Sequence, residues 1–243
     1  MCIRDSAYVS PDPDLVTFWL ADRIDERGWG LAGDTFHVMD GLRELGDEVW
    51  FNLGDRDLAL CLRRARRLAE GARLTEALDE ARRALGVPAR VLPMADAPVR
   101  TWVRARGRWH PFQAYMVRER APAPVEAVEL RGAAAAHPVP EALAAIAAAR
   151  AIVIGPSNPV ISIGPILAVP GMREALAAAP APVVAVSPLV GGRGGSRPAT
   201  APRRWRTRCG ARRTSPRAGC RWPTPPCARG CARGGSGTPS RRS

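Results

Sequence analysis

Apolar positions recur at helical spacing along the first third of the chain. Pro11 and Pro13 lead into LVTFWLADRI, where Leu15, Phe18, Trp19 and Ala21 suit one face of a partly buried helix. The run ERGWGLAG, with Gly28, Gly30 and Gly33, breaks that pattern. Asp34 or Thr35 is placed to cap a helix through Leu45, with Val38, Leu42 and Leu45 on one face and Gly46 as its stop. Asp55 is the expected cap of the next helix, in which Leu58, Leu62, Ala65 and Leu68 form the buried stripe. Arg63, Arg64, Arg66 and Arg67 fall mostly off that stripe and read as solvated. A further helix is predicted from near Thr75, with acids in its first turn, to Gly86 before Pro88.

The pattern then changes period. Val91–Met94, Val99–Arg104 and Val125–Leu130 predict short strands, and Pro111–Arg118 a helical segment, which makes a small α+β region of about residues 88–132. Beyond it, Pro140–Ala149 reads as an Ala-rich helix, Ala151–Ile154 as an apolar strand, 171–178 as a helix and Val183–Val186 as a second strand. Two apolar strands about thirty residues apart with a helix between them have the size of a parallel βαβ unit. Continuous Val/Ile runs suit a sheet covered on both faces. The fold class expected is α/β.

Composition adds less than it promises. A chain of 243 residues can hold one large domain or two small ones. No apolar run approaches the ~20 residues of a membrane helix, and MCIRDSAYVSPDPD has no signal-type apolar core, so a cytoplasmic location without a membrane partner is expected. The net charge of +13 is carried by arginine alone. Residues 194–243 hold 13 Arg and no acid, which leaves 36 − 13 = 23 Arg against 23 acids in residues 1–193. The first four-fifths are therefore neutral, which argues against a nucleic-acid partner for them.

Residues 194–243 lack a hydrophobic period and are rich in Arg, Pro and Gly, so they are expected to be disordered. A basic nucleic-acid tail and a zinc site are two readings, but Cys209, Cys220, Cys227 and Cys231 have poor spacing for zinc and no nearby His. Translation out of frame from GC-rich DNA is the favoured third reading. Cys61, in an apolar helical context, is expected to be a buried thiol.

Candidate chemistry gathers where loops meet helices. RGWGLAGDTF (Arg27–Phe36) and LGDRDL (Leu53–Leu58) put charge and glycine where two helices begin, and helix N-termini favour anions. Ser157 and Asn158 follow the strand Ala151–Ile154, at the end where open α/β sheets gather ligands. They offer a hydroxyl and an amide to phosphate oxygens, or simply close a turn with local Asx bonds. Ser187 repeats the arrangement after the second strand. Arg56 can pair with a phosphate or a planar ring, or serve a surface ion pair beside a capping Asp55. Asp12 and Asp14 can cap the first helix or hold Mg²⁺. His37, His110 and His137 show no ligand spacing.

Taken together, SPDPDLVTFWLAD, ERGWGLAGDTFHVMDGLRELG, WFNLGDRDLALCLRR, RLTEALDEARRALGVPARVLPMADAPVRT, IGPSNPVISIGPILAVPGMREAL and VVAVSPLVGG resemble the 2-phospho-L-lactate transferase family of coenzyme F420 biosynthesis. The resemblance runs in family order from about Ser10 to Arg193, so that residues 7–193 form a partial domain of that type. It implies a Rossmann-like three-layer core with a mostly parallel sheet and the small α+β region as an insertion. It implies transfer of a phospholactyl or phosphoenolpyruvyl group from a guanosine diphosphate-linked donor to a hydroxyl of the deazaflavin Fo, with GMP leaving and Mg²⁺ assisting. Asp14 and Arg56 match the family's deazaflavin contacts, and Ser157, Asn158 and Ser187 are assigned to the nucleotide side. The resemblance leaves catalytic residues and metal ligands unassigned and allows a homodimer. The family's initial strand with its glycine-rich loop, and its segment after VSPLVGG, have no counterpart here, so this copy is expected to be an inactive fragment. A non-catalytic nucleotide-sugar-binding regulator of the same superfamily is the alternative.

Overall fold

The computed structural model describes residues 8–26 and 28–189 and the backbone of 190 and 193–194. Four helices come first: α1 (Pro11–Leu20), α2 (His37–Glu44), α3 (Asp55–Ala69) and α4 (Leu74–Ala84). Pro11 and Pro13 sit in the first turn of α1, where a missing N–H costs nothing. Gly46 and Gly86, both at positive φ, follow the ends of α2 and α4 as expected.

The registry of α3 differs from the expectation. Its buried residues are Leu58, Cys61 and Arg64, whereas Leu62 is 52% exposed. The buried stripe therefore runs one step round the helix, and it draws an arginine inward. Cys61 is buried, as its context suggested, and packs with Met39, Leu53 and Leu58.

The middle of the chain forms an antiparallel sheet in the order β2-β1-β3, from β1 (Arg100–Ala105), β2 (Arg108–Pro111) and β3 (Ala127–Arg131). Arg106 and Gly107, at φ 49° and 72°, make the tight turn between β1 and β2. A two-residue turn of this kind joins only antiparallel strands. A π-helical stretch, Ala114–Arg118, fills part of the segment expected to be helical. Tyr115 from it is buried against Val103 and Ala105, and its hydroxyl donates to the Ala123 carbonyl. Val91–Met94 is not a strand. Pro93 removes a ladder donor from that run, and the chain makes only an isolated bridge from Ala95 to Pro138.

The last part carries α5 (Pro140–Ala147), β4 (Ile152–Ile154), a π-helical turn Pro159–Ile163, α6 (Gly164–Ala168), α7 (Met172–Ala178) and β5 (Val183–Ala185), then the short antiparallel pair β6 (Leu189–Val190) and β7 (Arg193–Gly194). Strands β4 and β5 pair in parallel, with Ile152 opposite Val183, so the expected βαβ unit forms. The expected mostly parallel sheet does not: among the described strands this pair alone is parallel. The reason is connectivity. A crossover through helices links β4 to β5, whereas a short turn links β1 to β2. The fold is mixed α/β with small sheets. Among the described residues no single helix is long and apolar enough to cross a membrane. The expectations for residues 195–243 lie outside the described residues.

Candidate functional site

The glycine-rich and charged loops before α2 and α3 dock on one another. The Asp34 carboxylate accepts from the backbone N–H groups of Arg56 (3.0 Å) and Asp57 (3.2 Å), at the start of α3. The Asp55 carboxylate accepts from the N–H groups of His37 (3.0 Å) and Val38 (3.1 Å), at the start of α2, and from the Thr35 hydroxyl (2.7 Å). These bonds hold the Asp55 carboxyl below its usual range. The N–H groups that would attract a phosphate are thus filled by the protein's own carboxylates, and the anion site expected at these two helix starts is occupied from within.

A cavity of about 290 Å³ opens beside this junction. Its apolar walls include Leu15, Phe18, Trp29, Phe36 and Phe51. Its polar groups are mostly acids: Asp12, Asp14, Asp34 and Asp57, with Asn52. Beneath it lies a buried cluster that joins α1 to α3. Arg64 donates to Asp14 Oδ1 and to the Tyr8 carbonyl (2.9 Å), and both partners of the ion pair are almost wholly buried. Among the described residues, Asp14 Oδ2 and Arg64 Nε have no hydrogen-bond partner. Burial raises the Asp14 carboxyl more than Arg64 lowers it. Asp57 is raised to about 6 by burial and then by Asp14 and Asp34. Cys61, whose thiol points to Asp57 Oδ1 at 3.8 Å, is pushed up to about 12 by burial and the two acids, so it stays protonated.

Asp14, Asp57 and Cys61 bring one ligand atom each within 4.8 Å of one another. The carboxylates suit a hard cation such as Mg²⁺, which takes oxygen ligands and keeps several waters. The protonated thiol does not. The orphaned Asp14 Oδ2 is the observation that makes the fit, because a buried acceptor without a partner is costly.

Of the five residues singled out in the sequence, Asp14 lines the cavity and Arg56, Ser157, Asn158 and Ser187 do not. Arg56 is exposed, and its guanidinium has no hydrogen-bond or ion-pair partner among the described residues. Asn158 accepts through Oδ1 from the N–H groups of Val160 (2.9 Å) and Ile161 (3.2 Å), which is the local Asx capping that a turn alone would require. Ser187 Oγ accepts from the Leu189 N–H at 3.2 Å. Because Ile154 lies opposite Ala185, the loops carrying Ser157, Asn158 and Ser187 leave the same edge of the parallel pair. The residues missed in the sequence are Arg64, read as solvated, and Asp57, read only as one of three charges.

Fold and cavity describe a mixed α/β domain whose pocket is acidic and aromatic rather than cationic. The chain belongs to the family of 2-phospho-L-lactate transferase CofD, whose pattern matches residues 2–207. It is 42% identical over 185 residues to a 2-phospho-L-lactate transferase of Methanosarcina mazei, covering 75% of this chain and 60% of that one. It is 47% identical over 193 residues to a phosphoenolpyruvate transferase of Streptomyces coelicolor, covering 75% of this chain and 59% of that one. The chain thus spans about three-fifths of the length of these relatives. A crystal structure of a Bacillus halodurans protein shares the fold, with a TM-score of 0.50 at 22% identity over 75% of this chain and 55% of that one.

Proposed function

We propose that this chain derives from a transferase that moves a phospholactyl or phosphoenolpyruvyl group from a guanosine diphosphate-linked donor to a hydroxyl of the deazaflavin Fo, releasing GMP, in coenzyme F420 biosynthesis. Family membership supports the reaction class. The single structural observation that carries the reading is the aromatic, acid-lined cavity between α1 and the start of α3. Carboxylates only accept hydrogen bonds when ionised, so they suit a ring bearing N–H and O–H donors and repel bare phosphate. The cavity is then the acceptor site, with Asp14 on its floor and Arg56 beside it. The loops of Ser157, Asn158 and Ser187, at the carboxyl edge of the parallel pair, are the donor side.

In the transfer, the ribitol-end hydroxyl of Fo attacks the distal phosphorus of the donor and the bond to the GMP oxygen breaks. Such reactions are governed by positioning and charge neutralisation. Asp14 and Asp57 would hold Mg²⁺, which when bound supplies positive charge to the diphosphate. The aromatic walls orient the acceptor and exclude water from its ring. We further assign residues 7–193 to one transferase-like domain, with about 88–132 as an insertion in a Rossmann-like layered core of which β4 and β5 are the parallel part. Residues 194–243 fall outside that domain. The reaction takes place in the cytoplasm.

The purified 243-residue chain tests this reading. Titrated with Fo, it should bind, because the acceptor cavity lies within the described residues. Supplied with donor, it should turn over little, because about two-fifths of each matched relative's length lies outside the match. Failure to bind either Fo or guanosine diphosphate would refute the assignment, and robust turnover would refute the inactive-fragment reading.

A further inference from the structure

Trp29 is 71% exposed although it lines the acidic cavity. It sits at the tip of a hairpin whose base is fixed by the Ile24–Leu31 bridge and by bonds from Ala32 N–H to the Arg23 carbonyl (2.8 Å) and from Asp25 N–H to the Gly30 carbonyl (3.1 Å). Gly28 and Gly30 flank it, at φ 77° and 66°, so the two backbone joints beside the indole are those with the widest conformational range. The lining also includes Leu15 and Phe18 of α1, Phe18 being almost wholly buried and therefore fixed. Part of the lining is rigid and part is an indole on glycine joints.

Leaving an indole in water is unfavourable unless something covers it, and a planar ring is the partner an aromatic face covers best. The acids around the cavity narrow the choice. Asp12 and Asp34 line it, and among the described residues no arginine does, which disfavours an anionic ligand. An aliphatic chain would desolvate the Asp12 carboxylate without offering it a donor.

We propose that Trp29 closes the cavity by stacking on a planar heteroaromatic ring whose N–H or O–H donors face Asp12 and Asp34, and so sets the site's preference for such rings. This rests on the reading of the cavity as the acceptor site and adds to it the residue that selects the ring.

The test uses the whole chain, with Fo and riboflavin as ring probes followed by fluorescence anisotropy. Trp29→Ala should weaken ring binding by about tenfold or more, the usual loss when a stacking aromatic is removed. Trp29→Phe should stay within about threefold of the parent. The denaturation midpoint of both variants should be unchanged, because the side chain is exposed. Equal ring affinity in the parent and Trp29→Ala overturns the inference, as does a parent that binds no ring. Trp29-dependent binding of riboflavin with no binding of Fo leaves the inference standing and refutes the deazaflavin as acceptor.

Discussion

Asp34 and Asp55 each cap the helix that the other one precedes or opens. Asp34 lies before α2 but bonds to the first N–H groups of α3, and Asp55 begins α3 but bonds to those of α2. A local cap would fix one helix end. This exchange fixes two helices to each other, and with them the cavity wall at Phe36, Leu53 and Asp57. Gly54 lies so close beneath Asp34 that a Cβ would occupy the space of its carboxylate. Gly54→Ala should therefore cost about 1–3 kcal/mol, as other overpacking changes do. In an Asp34→Ala background the same change should cost clearly less. A double-mutant cycle by urea denaturation measures this, and additive losses would show that the crowding lies elsewhere.

Asp14 and Arg64 form a buried ion pair between α1 and α3. Removing the cation alone strands a carboxylate in the interior. Arg64→Met should destabilise the fold by about 3–5 kcal/mol, whereas Asp14→Asn with Arg64→Met should recover much of that loss. Chemical denaturation of the two variants checks it. A double variant no more stable than Arg64→Met would mean that Arg64 acts through the Tyr8 carbonyl instead.

Asp57 makes stability fall as the pH rises. Its carboxyl is raised to about 6 from 3.8, so the folded chain holds this proton more tightly than the unfolded chain does. The associated stability is fully present below the unfolded value and is lost as the pH passes through about 6. In metal-free buffer, Asp57→Asn should be more stable than the parent above that pH by about 2 kcal/mol, a figure reduced for the part of the carboxylate that stays in water. The gap should close toward pH 4, on the order of the unfolded value. A gap that is constant with pH would assign the effect to packing.

The helices were legible because their apolar spacing, glycine stops and proline starts act locally. The capping residues were legible too, but their exchange was not, because an Asp beside a helix start reads as that helix's own cap. Arg64 was hidden for a related reason. It sits in a run of arginines, and only the spatial partner Asp14, fifty residues earlier, decides which of them turns inward. Val91–Met94 has strand composition, but Pro93 withholds a donor. The cavity was invisible as a unit, since its walls come from residues 9–18, 29–36 and 51–57, brought together by the packing of α1, α2 and α3.

The distribution of charge makes a last prediction. Residues 1–193 balance 23 Arg against 23 acids, and residues 194–243 add 13 Arg with none. The described lining of the cavity is itself acidic, which disfavours bare phosphate there. Any affinity of the chain for DNA should then be purely electrostatic and fall steeply with salt, as counterion release requires. A chain ending at Arg193 should pass through a heparin column at the low salt that retains the full chain. Retention of the shortened chain under those conditions would mean that its neutral sum conceals a cationic face, and the exclusion of nucleic acid from the folded part would fall with it.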